Sequence, residues 1–242
     1  MHASLKLESI RSVLVRMEET IIFALLERAQ FKANAVIYRT GGLAVPGFAG
    51  SFLDYLLHGT EALHATVRRY TSPDEYPFFT GLPAPILPAI DLGSPIRKTG
   101  ININAKIKRV YEDEIVPFIC EPGDDQQYGS SAVADVASLQ AVSKRVHYGM
   151  FVAESKFLSD ENAFVPLIKA GDRDGLRARI SDEAVEERLF ARVAKKAATY
   201  CQEIEGPPGV HKMRPDAVSD IYRRWIVPFT KDVEVDYLLQ RL

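Results

Sequence analysis

Apolar positions along the chain recur mainly at intervals of three and four residues. Ile10, Val13, Leu14, Met17, Ile21 and Leu25 fall on one helical face and predict a first helix reaching about Ala29. Ser51-Phe52-Leu53-Asp54 has the form of a capping box, so a second helix starts there and runs to about Tyr70. From Thr71 to Thr99 the period is lost. Pro73, Pro77, Pro83, Pro85, Pro88 and Pro95 remove donors and bias their predecessors away from helix, which predicts a long irregular connection. Such a segment is either a functional surface element or a plain connection at a dimer edge.

Helical patterning resumes at Asn102 or Asn104, passes Val110, Tyr111 and Ile115, and bends near Pro117. Residues 121–131 read as a turn-rich loop. Leu139, Val142, Val146, Met150, Ala153 and Phe157 then predict one helix over 139–157. Shorter helical pieces follow over 162–170 and 173–180. A longer helix over 182–203 has Val185, Leu189, Val193 and Ala197 in register. Gly206-Pro207-Pro208-Gly209 is a sharp break, and the last helical region, 216–242, is bent or interrupted at Pro228. Nothing alternates at period two, and no repeat of 20–50 residues is evident. The expectation is an all-α, single-domain helical bundle with long helices, spanning residues 1–242.

Composition changes this picture little. The 242 residues are 47% hydrophobic and 26% charged, an ordinary globular balance. A formal net charge of −2 gives no general reason to expect nucleic acid or an anionic membrane as partner, so any anion site must be local. Cys120 and Cys201 are too few for a disulfide scaffold and read as free, buried thiols of a reducing compartment. Residues 1–7 lack the apolar core of a signal peptide, and no apolar run approaches the roughly 20 residues of a membrane span. A cytoplasmic protein is expected, or a plastid one if a transit peptide has been removed.

The candidate chemistry begins on the 139–157 helix. Arg145 and Lys156 point within about 20° of one direction, with about 16 Å between their α-carbons. Gly149 and Val152 leave space between them. Two long cations flanking a gap suit a molecule with two separated anionic groups, whereas a solvated charged face containing a glycine gives the same spacing. The five histidines form no metal-binding pattern, Asp124-Asp125 lacks a further acidic partner, and phosphate loops and nucleophile elbows are absent. What remains is binding by charge and shape.

Several stretches together resemble one family. They include Ile10-Arg11 with Leu14 to Glu18, Gly50 to Asp54, Ser72 to Glu75 with Pro77-Phe78-Phe79, and Leu139-Gln140 through Arg145 to Gly149. Phe151 to Glu154 with Lys156-Phe157, Val185-Glu186-Glu187, and Pro228 to Lys231 with Val233-Glu234-Val235 and Tyr237 to Leu239 complete the set. In this order, over nearly the whole chain, they resemble the all-helical chorismate mutase of fungi and plants. The resemblance implies an isomerase of aromatic amino acid biosynthesis (the shikimate pathway) that converts chorismate to prephenate. This is an intramolecular Claisen rearrangement needing no cofactor, metal or covalent intermediate. Catalysis then rests on holding a compact conformer and stabilising charge on the breaking ether oxygen.

Carried over by position, the resemblance implies that Arg11 and Arg145 bind the two substrate carboxylates, while Lys156 and Glu234 face the ether oxygen. Glu186 takes the ring hydroxyl, Thr230 lines the pocket, and Asp182 stands where some relatives have a substrate-binding asparagine. A carboxylate beside an oxygen gaining negative charge would repel it, so Glu234 is expected to work protonated. The resemblance also implies a homodimer under allosteric regulation, with tryptophan, tyrosine and phenylalanine as effectors. Their site would use Arg68 and Arg69 from one chain and the loop at Gly129 and Ser130 from the other. That serine also fits the first turn of a helix. Val133 and Arg214 depart from the fungal pattern near this site. The alternative function is a catalytically silent helical dimer that binds aromatic amino acids, and turnover of chorismate separates the two.

Overall fold

The first apolar stripe forms α1 (Leu7–Arg28), with Ile10, Met17, Ile21, Ile22, Leu25 and Leu26 buried. The computed structural model describes residues 7–90, 93–202 and 213–242, and the regular elements among them are helices. α2 (Phe52–Thr66) opens on the expected capping box. Ser51 Oγ accepts the Asp54 N–H at 3.0 Å, and the Asp54 carboxylate accepts the Ser51 N–H at 3.3 Å. The helix stops at Thr66 rather than near Tyr70, because Arg68 adopts a left-handed backbone (φ 69°) and a short 3-10 turn, Arg69–Thr71, follows.

The proline-rich connection is held by side chains rather than by a backbone ladder. Buried Glu61 of α2 accepts the Phe78 N–H at 2.8 Å and the Phe79 N–H at 3.0 Å. Asn104 donates to the carbonyls of Tyr76 and Pro77, so the backbone groups that proline cannot organise still find partners. α3 (Asn104–Val110) then passes through a π segment (Tyr111–Ile115) into α4 (Val116–Ile119). The expected bend near Pro117 is this π segment.

The helix expected over 139–157 is two helices. α5 (Tyr128–His147) and α6 (Gly149–Ser159) are separated at Tyr148, whose φ of −61° and ψ of −13° tighten the turn without reversing the chain. All six stripe residues are buried across the break. α5 also starts well before Leu139. Asp125 accepts the N–H groups of Lys32 and Gln127, which closes the preceding turn early. α7 (Glu161–Ala170), α8 (Arg173–Ile180) and α9 (Glu183–Tyr200) are each N-capped by an aspartate, respectively Asp160, Asp172 and Asp182. The break expected at residues 206–209 lies outside the described residues. α10 (Pro215–Ile221) passes through a second π segment (Tyr222–Ile226) into α11 (Val227–Leu239).

The two π segments share a local sequence, Tyr111 with Ile115-Val116-Pro117-Phe118 and Tyr222 with Ile226-Val227-Pro228-Phe229. In each, one extra residue precedes a proline that has no N–H for the α-helical ladder. α5 packs on α1, α2 and α11; α11 packs on α6 and α8; and α9 lies between α1 and α10. At the end of α1, fully buried Arg28 donates to Asp135 of α5 at 2.6 Å. Tyr38 and Tyr111 donate to the same carboxylate at 2.9 and 2.8 Å. Cys120 and Cys201 are free and buried. Among the described residues no helix is long and apolar enough to cross a membrane.

Candidate active site

Arg11 and Arg145 come from α1 and α5, Lys156 from α6, Glu186 from α9, and Thr230 and Glu234 from α11. With Asp182 at the start of α9, they line one cavity of about 450 Å³. Every catalytic or substrate-binding residue expected from the sequence is therefore brought together. Leu14, Val152, Phe164, Val185, Leu189 and Val227 supply the apolar wall. Asp182 caps α9 through Val185 N–H at 3.0 Å and lines the cavity as well.

Packing accounts for the placement. A Cβ added at Gly149 would lie 3.0 Å from the Thr230 carbonyl oxygen and 3.4 Å from Glu234 Cγ. The glycine therefore lets α6 and α11 approach closely and belongs to their contact. Across that contact Lys156 Nζ donates to Glu234 Oε2 at 3.0 Å and to the Ile180 carbonyl at 2.6 Å. Two of the three ammonium donors are thus used. Glu234 is 5% exposed, and burial raises its pKa above the usual carboxylate range against the opposing pull of Lys156, Arg145 and Lys231.

Arg145 is 4% exposed and donates through Nη1 to Thr230 Oγ1 at 3.3 Å. The Thr230 hydroxyl in turn donates to the Ile226 carbonyl at 2.7 Å. Among the described residues Arg145 Nε is buried with no hydrogen-bond acceptor, and the Tyr222 hydroxyl lies beside the guanidinium. A desolvated, unbonded guanidinium donor costs roughly 1–3 kcal/mol, which a carboxylate accepted in fork geometry would recover. Arg11 of α1 lines the same cavity and is exposed. The site therefore has a buried cation, an exposed cation, and a lysine–carboxyl pair between apolar walls. That arrangement suits a compact dianion whose reacting atoms are held away from water.

The expected effector residues do not line this cavity. Arg68 donates to the Pro88 carbonyl. Arg69 pairs with Glu75 at 3.1 Å and donates to Gln140 at 2.8 Å. Gly129 and Ser130 lie in the first turn of α5 and are exposed, so the expected loop position is corrected to a helical one. Sequence reasoning missed Arg179, Asp160, Ser181 and Lys231 in the lining. Of these, Lys231 carried a signal, since it stands between Thr230 and Glu234 on one helix.

A family model described as chorismate mutase type II matches residues 128–235. The chorismate mutase of Schizosaccharomyces pombe is 47% identical over 98% of this chain and 97% of its own. Chorismate mutase 1, chloroplastic, of Petunia hybrida is 45% identical over 99% of this chain and 76% of its own. Among solved structures, the Candida albicans chorismate mutase in complex with L-Trp superposes with a TM-score of 0.93 at 40% identity, covering 98% of this chain and 92% of that one. The structure of AtCM1 with tyrosine bound in its allosteric site gives a TM-score of 0.92 at 45% identity, covering 99% and 97%.

Proposed function

The chain belongs to the chorismate mutase family, and from that membership we propose that the cavity between its helices rearranges chorismate to prephenate within one helical domain. One observation carries the assignment of roles: residues from five helices, from Arg11 to Glu234, line a single cavity. Arg145 takes one substrate carboxylate on its open fork, and Arg11 takes the other at the mouth. Lys156 and protonated Glu234 donate to the ether oxygen, where negative charge develops as the carbon–oxygen bond breaks. Glu186 accepts the ring hydroxyl, and Thr230 holds the Arg145 guanidinium. Asp182 shapes the turn beside the hydroxyl end. No group on the protein need form a bond to the substrate, because the rearrangement is internal to it.

The test follows loss of chorismate with purified protein. Turnover well above the uncatalysed rate is expected. The double variant Arg145→Ala with Lys156→Ala is expected to bind chorismate poorly and to lose at least about a thousandfold in kcat/KM, the scale of removing an oxyanion donor together with a charged anchor. Absence of turnover in the unaltered protein would leave the silent aromatic-amino-acid binder as the better reading.

Regulation is proposed at a second site, through a homodimer and with tryptophan, tyrosine and phenylalanine as effectors. Support comes from exposed Gly129 and Ser130 at the start of α5, from the cations Arg68 and Arg69, and from the amino acids bound in related structures. The proposed compartment is the cytoplasm, or a plastid if a transit peptide is removed, as the chloroplastic petunia relative supports.

A further inference from the structure

Lys231 lies one residue after Thr230 and three before Glu234 on α11, and has no part in the roles given above. Its ammonium meets Glu186 Oε1 of α9 at 2.7 Å. Both side chains are about one-fifth exposed (20% and 22%), so the pair sits at the boundary of the site rather than in open solvent. Both also line a second cavity of about 380 Å³ on the far side of the pair. The ion pair is therefore part of the partition between the two spaces.

We propose that Lys231 is a positioning residue for substrate binding, holding the Glu186 carboxylate toward the ring hydroxyl and closing that end of the site. The inference rests on the chorismate reading of the cavity. Glu186 lines a cavity on either side, and its ion pair among the described residues is with Lys231, so losing the lysine frees its rotamer. Charge supports the same role. When Glu234 is protonated, the lining presents Arg11, Arg145, Lys156 and Lys231 against Glu186 and Asp182, with Arg179 paired to Asp160. The surplus of two positive charges matches a dianion, and removing Lys231 halves it.

The experiment compares KM, kcat and the pH–rate profile for chorismate in Lys231→Met, Lys231→Arg, Glu186→Gln and the double variant Lys231→Met with Glu186→Gln. Lys231→Met is expected to raise KM about tenfold with a much smaller change in kcat, and arginine is expected to restore most of the loss. Because lysine acts through Glu186, the double variant should be no worse than the poorer single one. The cations acting on Glu234 are Lys156 from α6, Arg145 from α5 and Lys231 on its own helix, and Glu186 from α9 lines the same cavity. Loss of Lys231 removes a cation that favours ionised Glu234, so the alkaline decline of activity should move to higher pH. A merely structural loss would not be confined to KM or rescued by arginine. Additive losses or an unchanged KM would each overturn the proposal. Failure of the unaltered protein to turn over chorismate would overturn the functional reading along with it.

Discussion

Burial moves the Glu234 pKa above the usual carboxylate range, the direction that its proposed role as a donor requires. The carboxyl sits 3.0 Å from Lys156 and yet its pKa is raised, because desolvation outweighs the neighbouring cations. The protonated Glu234 proposed above would become a repelling carboxylate as pH rises through its raised pKa, so activity should fall on that side. Glu234→Gln keeps a donor that does not titrate, and its pH–rate profile should lose that decline; an unchanged profile would refute the assignment. At this scale the sequence shows residue types more readily than partners. Arg145 and Lys156 stand out because one helical stripe carries both. Arg11, Glu186 and Glu234 are distant in the chain and become legible only through the family resemblance. Lys231 is visible beside Thr230, but its partner Glu186 lies on another helix, and nothing in local spacing pairs them. Arg28 looks like an ordinary basic helix end, although it is buried against Asp135.

Among the elements, apolar periodicity predicts helix identity well and helix continuity poorly. The stripe from Leu139 to Phe157 is real, but the backbone tightens at Tyr148, where no proline marks the break. The π segments before Pro117 and Pro228 likewise keep the period nearly intact while adding a residue to the turn. Next to the Tyr148 break, His147 ties α5 to the proline-rich connection. Its Nε2 accepts the Ile103 N–H at 3.1 Å, its Nδ1–H donates to the Ser143 carbonyl at 2.9 Å, and its ring stacks on Tyr76 at 4.5 Å. Burial lowers its pKa from 6.5 to about 4. Between those values the unfolded chain binds the proton and the folded one does not, so this stability is complete above pH 6.5 and is lost as pH falls toward 4. The loss should reach about 3 kcal/mol by the lower value. Urea unfolding at pH 7 and pH 4.5 should show His147→Gln less stable at neutral pH and with a shallower acid slope than the unaltered protein.

For the whole molecule, the proposed catalytic cavity and the proposed effector residues occupy separate places, and this separation makes a prediction about assembly. Leu63 on α2, Ile86 in the connection after it and Val133 on α5 are 66%, 76% and 61% exposed. Leu63 is in the last turn of the helix that precedes Arg68 and Arg69, and Ile86 is in the connection they open. Val133 is on the helix that carries Gly129 and Ser130, and α2 packs on α5. Exposed large apolar side chains on packed neighbouring elements suit a surface that meets a second copy of the chain. The catalytic cavity, by contrast, draws all its named residues from one chain. Leu63→Glu combined with Val133→Glu would bury unpaired charge in such a contact, which costs several kcal/mol and should shift the protein to monomer on a sizing column. If the effector site needs residues from two chains, the monomer should no longer respond to tryptophan or tyrosine. Its chorismate turnover without effector should persist, because Arg11, Arg145, Lys156 and Glu234 stay together. A monomer that still responds would place the effector site within one chain, and an inactive but folded monomer would mean that the catalytic cavity itself depends on the partner.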